Sequence, residues 1–219
     1  MIVKPDTLRD QAYKLIRNQI VTRELPLGSH LSVADLSRDL GISNSPIREA
    51  ISRLENEGLV INHPNSGFHV LTFDDKLVGE LNETLIITMS GCYQMCREDG
   101  REQELAELLQ RRLDQQAGQY NGELTFEYVQ TTINFDKGFV DICNNDMLSS
   151  IMESRFYLLA LSAFYLYQDE KESYINNFRE HQGILEKVKT GDRDEVFKAL
   201  RFHLTKKNHY NAKTRTAGR

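Results

Sequence analysis

Cysteine, proline, long apolar runs and surplus basic charge are all scarce in this 219-residue chain. Each scarcity removes a class of protein. The three cysteines, Cys92, Cys96 and Cys143, form no Cys-x-x-Cys pair and leave one over, which excludes a disulfide-framed miniprotein and fits a reducing compartment. They read as core or surface thiols, with a redox role as the alternative because Cys92 and Cys96 share a helix face. Only 4 prolines and 13 glycines leave little room for collagen-like or long disordered segments. The longest mostly apolar stretches, around 85–89 and 156–166, fall well short of the ~18 residues a membrane span needs. Met1 is followed by Lys4, Asp6, Arg9 and Asp10 rather than an apolar leader. These features lead us to expect a soluble, cytoplasmic protein with no membrane partner. The net charge of −5 offers no basic excess and counts, on its face, against nucleic acid, since phosphate binding needs a positive footprint. What is present, 40% apolar and 27% charged residues, is ordinary globular composition in one large or two small domains.

The first seventy residues change texture quickly. Behind the N-cap candidate Thr7, residues Leu8, Ala12, Leu15, Ile16 and Ile20 recur at helical spacing and predict a helix to about Thr22. Residues 25–28 read as a turn. Ser32 and Asp35 resemble a capping box that opens a short helix to Leu40, closed by Gly41. The cap cluster Ser43-Asn44-Ser45 precedes Pro46, tolerated in a first helical turn, and the next helix carries Ile47, Ala50, Ile51 and Leu54 on one face as far as Gly58. Two short helices around a tight glycine turn make a helix-turn-helix. The strand-like 59–61 and 68–71, joined by His63-Pro64-Asn65-Ser66-Gly67, add a hairpin and predict a winged helix-turn-helix. With Ile47 facing the core, Arg48, Ser52 and Ser45 project roughly 100 to 160 degrees away. That polar, basic face suits a major groove, where Arg48 could donate two bonds to guanine. Ser43, Asn44 and Ser45 lie at the helix N-terminus, which favours a phosphate.

These residues carry a resemblance. The segment 31–43, Pro46-Ile47-Arg48-Glu49-Ala50, Glu57-Gly58-Leu59-Val60 and Gly67-Phe68-His69-Val70 resemble the DNA-binding domain of GntR-family transcriptional regulators over about residues 8–71. The resemblance implies operator contacts by Arg48 and residues 43–45, and a wing from His63 through Asn65 to Gly67 reaching the adjacent minor groove. Arg38, Ser52 and Arg53 complete the candidate DNA-binding set.

After Asp74 the sequence reads as six amphipathic helices, about 74–98, 101–120, 123–143, 147–167, 172–190 and 192–213. The fold class expected is therefore mainly α: a winged helix-turn-helix with a small β-hairpin in residues 1–72, then an antiparallel helical bundle in 73–219. Three polar residues occupy apolar slots in that bundle. Asp136 falls among Val129, Ile133, Val140 and Cys143; His181 among Ile175, Phe178, Leu185 and Val188; His203 among Val196, Leu200 and Leu204. A buried carboxylate without partners costs several kcal/mol, so Asp136 is expected to meet the two imidazoles.

Arg179-Glu180-His181, Ile184-Leu185, Gly191-Asp192, Ala199 and His203, with Asp136 and Phe139 upstream, resemble the all-helical ligand-binding domain called FCD, found in the FadR-type branch of the GntR family; six helices match its VanR-like variant. The resemblance implies an Asp and three His around a divalent metal such as Zn, Ni or Mn, beneath a pocket for a carboxylic-acid effector. This chain departs from that pattern. Val140 stands where the third His is expected, leaving Asp136, His181 and His203, and Leu85 and Met89 stand where the family usually places Arg and Glu. Three protein ligands still make an open zinc-type site; the alternatives are Asp-His hydrogen bonds without metal, or direct contact with a ligand. Arg155 is a candidate anchor for an effector carboxylate, with Leu85, Met89 and Val140 around it, or else part of a surface or dimer salt bridge.

The function expected is a homodimeric repressor on a pseudo-palindromic operator, controlled by a small carboxylic acid and not an enzyme. A metal-dependent enzyme on a helical bundle and an effector-free architectural DNA-binding protein are the competing classes. The charge, divided, no longer opposes DNA. Residues 1–72 hold eight basic and eight acidic side chains, 73–200 hold 13 and 24, and 201–219 hold six and none. The acidity belongs to the helical half. The basic tail reads as charge favourable to a helix C-terminus, with an auxiliary phosphate contact as the alternative.

Overall fold

The computed structural model describes residues 6–121, 123–167 and 171–216, and the side chains of all but 166–174 and 206–216 among these. The basic tail beyond Thr205 therefore lies outside the described side chains. The chain divides into two compact units, Met1–Thr72 and Phe73–Arg219.

In the first unit, α1 (Leu8–Val21) starts at a reciprocal cap: Thr7 Oγ1 accepts from Asp10 N at 3.2 Å, and Asp10 Oδ2 accepts from Thr7 N at 3.3 Å. At α2 (Val33–Leu40) only half of the expected box forms, with Ser32 Oγ accepting from Asp35 N. Gly41 takes the left-handed φ of 65° that ends α2 and turns the chain toward α3 (Asn44–Asn56). Tyr13, Ile16 and Ile20 of α1 and Ile47, Ile51 and Leu54 of α3 are all buried, and these two helices form the centre of the unit. Strands β1 (Val60–His63) and β2 (Gly67–Val70) pair antiparallel, Val60 opposite Val70 and His63 opposite Gly67. The chain between the 25–28 turn and α2, which the sequence reading left unassigned, also joins this sheet: His30 bridges His69, Leu31 N donates to Phe68 O at 2.7 Å and Val70 N to Ser29 O at 2.9 Å. A pairing this short has no alternation for the sequence to display.

The second unit contains α4 (Asp75–Glu98), α5 (Glu102–Gln119), α6 (Phe126–Asp141), α7 (Asp146–Tyr167), α8 (Lys171–Thr190) and α9 (Arg193–Thr216). Asp74, Thr125 and Asp192 accept from the first-turn amides of α4, α6 and α9. Thr125 is why α6 begins at Phe126 rather than at 123. Helix α6 is buried on most of its circumference, from Tyr128 through Val140, and packs on α5 and α7, while α4 packs on α9 and α5 on α8. Arg112 of α5 reaches Asn134 O and Asp141 of α6, and Arg101 donates to Ile142 O at 2.6 Å. No helix among the described residues is long and apolar enough to cross a membrane. Burial pushes the thiol of Cys92 up to about 12 and that of Cys96 to about 11, which leaves both as inert core groups.

The α5–α6 contact is close because α6 has glycine there. A Cβ on Gly138 would lie 2.7 Å from Leu109 Cδ2, whose side chain is itself fully buried. Gly138→Ala is expected to lose ~1–3 kcal/mol to overpacking, more than the ~1 kcal/mol that helix propensity returns. Gly183→Ala in α8 meets nothing within 4 Å and should gain ~0.5–1 kcal/mol. Urea denaturation midpoints that move in the same direction for both variants would contradict this packing.

Candidate functional site

Two sets of polar residues stand out, one in each unit. On the exposed side of α3, Ser43, Asn44, Ser45, Arg48, Ser52 and Arg53 all face solvent while Ile47, Ala50, Ile51 and Leu54 are buried. Ser43 is the N-cap but makes no side-chain cap bond, so the helix N-terminus keeps amides directed outward. Arg48 makes no ion pair or hydrogen bond among the described residues. The other two arginines are differently placed. Arg38 is bridged to Asp35 at 2.7 Å and Asp39 at 3.2 Å. The guanidinium of Arg53 lies 3.7 Å above the Tyr13 ring and bonds Glu57, which accepts from the Tyr13 hydroxyl. Arg53 thus differs from Arg48 in being engaged by α1, while its side chain stays half exposed. In the wing, His63 and Asn65 are exposed, and Gly67, at φ +77°, has His30 close above it. His30, His69 and His63 form two edge-to-face ring contacts at 5.2 and 5.1 Å that brace the hairpin. No pattern in the sequence linked these three histidines.

In the helical unit, Asp136 of α6, His181 of α8 and His203 of α9 converge, each almost fully buried. Nε2 of His181 is 3.3 Å from Nε2 of His203, and Asp136 Oδ1 is 3.7 Å from the first and 3.9 Å from the second. The carboxylate distances are too long for the direct Asp-His hydrogen bonds considered above. Bonds of about 2.0 to 2.2 Å to a zinc-sized ion set its ligand atoms about 3.3 to 3.6 Å apart, close to what these three atoms offer.

The ring orientations are fixed from behind. Gln116 of α5 donates through Nε2 to Asn177 Oδ1 at 3.0 Å and to the Tyr128 hydroxyl at 3.1 Å, so its Oε1 is the face presented to His181 Nδ1 at 2.8 Å. His181 therefore donates from Nδ1 and turns the lone pair of Nε2 inward. His203 Nδ1 donates to Glu180 Oε2 at 2.9 Å, which turns its Nε2 inward too. Burial, then the neighbouring His203, hold the pKa of His181 well below the ordinary value. Burial also opposes charge on His203, but the Glu180 hydrogen bond and the charges of Asp136 and Glu180 outweigh it and raise its pKa. Three electron-rich atoms aimed at one point are satisfied by a proton on His203 or by a cation shared among all three. Gln116, Asn177 and Glu180 were not anticipated. Gln116 carries the same sequence signal as Asp136, because it continues the apolar series Leu105, Leu109, Leu113.

The cavity beside this cluster has a volume of only about 30 Å³, the share of one water molecule, and is lined by Leu81, Asn82, Leu85, Thr132, Asp136 and His203 among others. Of the residues expected around an effector, Leu85 alone lines it. Met89 and Val140 are fully buried in the core instead, and Arg155 is exposed on α7, away from the cavity. Ile175 leaves the core face it was assigned and is 37% exposed, whereas Phe178 packs against the core from its edge; Asn177, His181, Ile184, Leu185 and Val188 are the buried positions of α8.

A winged helix-turn-helix with a polar recognition face, followed by a helical unit with a buried Asp-His-His cluster, defines a class of DNA-binding transcriptional regulator. The comparisons agree. Residues 8–70 match the gntR family of bacterial regulatory proteins and residues 90–206 match the FCD domain. The chain belongs to the GntR family of regulators and carries an FCD domain. It is similar to the HTH-type transcriptional regulator YdhC of Bacillus subtilis strain 168, 26% identical over 193 residues covering 87% of this chain and 85% of YdhC. It is also similar to the gluconate operon transcriptional repressor of Bacillus licheniformis, 25% identical over 84% of this chain and 77% of that one. The fold is shared with McbR/YncC of E. coli, at 19% identity and a TM-score of 0.61 over 96% of this chain and 99% of that chain. These relatives are regulators, and the chain is one rather than an enzyme.

The placement of Arg53 yields a test. Arg53→Ala should lower the stability of the DNA-binding unit by ~0.5–1 kcal/mol, the scale of an exposed cation–π contact. Discrimination between operator and random DNA in fluorescence anisotropy should stay unchanged; a selective loss of operator binding with unaltered thermal stability would return Arg53 to the DNA surface.

Proposed function

We propose that the chain is a cytoplasmic, homodimeric repressor that binds a pseudo-palindromic operator through residues 1–72 and responds to a small carboxylic-acid effector through residues 73–219. The observation that carries the DNA-binding part is Arg48, exposed on the recognition helix with no ion pair or hydrogen bond among the described residues, while Arg38 is bridged to acids and Arg53 to Tyr13. Arg48 reads a base edge, Ser52 lies one turn further along the same face, and Ser43, Asn44 and Ser45 take a phosphate at the helix N-terminus. The wing, His63 and Asn65 with the Gly67 turn, follows the backbone into the minor groove. Arg38 is left as a peripheral phosphate contact that must first release Asp35. With no net charge in 1–72, a single domain has little nonspecific attraction, and two half-sites read by a dimer supply the affinity. The repressor reading is supported by the gluconate operon relative.

Asp136, His181 and His203 are the residues that would hold a divalent metal, with zinc, nickel or manganese suited to two imidazoles and one carboxylate. Such an ion, when bound, would supply a positive centre that balances the three inward-facing ligand atoms, with room beside it for about one water. Gln116 and Glu180 fix the two rings in the ligating tautomer, and Asp136 contributes the charge.

Two outcomes are expected. Arg48→Ala should cost ~1–3 kcal/mol of specific binding, measured as the operator-to-random affinity ratio, and should change random-sequence binding little. Val140→His places an imidazole one helical turn from Asp136 and should tighten zinc binding at least tenfold in competition with a chelator, while His203→Ala should abolish the zinc-induced rise in melting temperature. A wild-type melting temperature indifferent to zinc, nickel, manganese and chelator alike would remove the metal from this reading.

A further inference from the structure

Space near the Asp-His-His cluster is not confined to the cavity beside Asp136. A hollow of about 300 Å³ lies on the other side of His181's helix, between α5, α6 and α8, lined by Ala117, Tyr120, Tyr128, Ile175, Phe178, Arg179 and Gln182. Its volume reaches the lower end of the range of small-molecule sites, whereas about 30 Å³ beside Asp136 admits little more than a water.

The sequence builds this hollow from one stripe of α8. Positions 175, 178, 179 and 182 recur at three- and four-residue spacing and face the end of α5, where the small side chain of Ala117 leaves the space unfilled. Tyr120 and Tyr128 stand with their rings 5.8 Å apart at 60°, and Phe178 adds a third aromatic wall. Ile175 is 37% and Tyr120 42% exposed, apolar surface that the core does not use. Arg179 and Gln182 are both exposed and stand over this apolar floor, and Arg179 makes no ion pair among the described residues. An aromatic-walled hollow with one guanidinium fork and one amide has the complement of a flat, apolar body bearing a single carboxylate.

We propose that this hollow is a binding site for a small aromatic or compact apolar monocarboxylate, with Arg179 as the anion anchor and Tyr120, Tyr128 and Phe178 as the walls, separate from the cavity at Asp136. The site also has a route inward. The Tyr128 hydroxyl accepts from Gln116, and Gln116 in turn orients His181, so an occupant against the Tyr128 ring is two hydrogen bonds from the buried cluster. Its regulatory consequence rests on the effector reading above; the binding step does not.

The test uses the full chain and two probes, benzoate and its neutral analogue benzyl alcohol, in titration calorimetry. Saturable benzoate binding is expected, at least tenfold tighter than that of benzyl alcohol. Arg179→Leu, an exposed substitution that leaves the core alone, should weaken benzoate at least tenfold and leave benzyl alcohol unchanged. Ala117→Trp should fill the hollow and remove both, whereas Leu85→Trp, in the inner cavity, should remove neither. Should Ala117→Trp fail to fold, Gln182→Ala with Arg179→Leu decides the same question from the mouth. Benzoate affinity unchanged in Arg179→Leu, loss of binding in Leu85→Trp alone, or no saturable binding in the millimolar range would each overturn the proposal. Benzoate binding that depends on Arg179 but leaves operator affinity unaltered would uphold the site and detach it from effector control.

Discussion

Buried polar groups must find partners among themselves, and in the helical unit that requirement ties four helices together at one point. Gln116 comes from α5, Asp136 from α6, Asn177 and His181 from α8 and His203 from α9, and all are almost fully excluded from water. An amide or imidazole left unsatisfied there costs ~1–3 kcal/mol, comparable to a sizeable part of a domain's net stability. The register of α8 against α5 is consequently set by the bonds from Gln116 to Asn177 and His181, one helical turn apart. The apolar contacts around them, from Leu109 and Leu113 to Ile184 and Val188, could tolerate a small rotation of α8; this pair of hydrogen bonds could not.

That constraint explains where reading the sequence succeeded and where it did not. The order and type of the helices were legible because their apolar periodicity and caps are local: Thr7 and Ser32 each announce a helix start within a few residues, whereas Thr125 was passed over and its helix expected three residues early. Asp136, His181 and His203 were legible as polar residues in apolar slots, and Gln116 obeyed the same rule without being noticed. What was not legible was rotational phase. Ile175 continues the stripe of His181 on a wheel, yet α8 turns its Asn177 side inward to meet Gln116, and Ile175 ends exposed while Phe178 packs at the edge of the core. Likewise Arg48 and Arg53 both appear as exposed basic residues on one helix. Only the position of Tyr13, 40 residues away in sequence from Arg53, distinguishes the one that is free from the one that is held. The short pairing of Ser29 to Leu31 with β2 is another case, since it depends on a partner strand and leaves no local signature.

Charge is distributed in keeping with this division of labour. The acidic excess lies in the helical unit, where many carboxylates are used in ion pairs with neighbours, such as Glu104 with Arg101 and Glu195 with Lys187 and Lys198. Solvent-exposed pairs of this kind contribute little stability. Their effect is on association: an acidic body disfavours nonspecific approach to DNA by anything but the neutral winged helix. Sequence readout by a few placed groups then counts for more, because the background attraction that every phosphate offers is kept low.

The apolar side chains of Leu85, Met89 and Val140 set the space beside the cluster. Met89 and Val140 pack into the core, Leu85 closes one wall, and the interior beside Asp136 shrinks to about 30 Å³. A carboxylic acid larger than a few atoms does not enter such a volume without displacing packed side chains, and overpacking a core costs ~1–3 kcal/mol. A shared ion or proton among Asp136, His181 and His203 fits it as it stands. The cluster is therefore suited to hold α6, α8 and α9 in one arrangement. The bonds that Gln116 makes to the Tyr128 hydroxyl and to His181 extend that arrangement to α5.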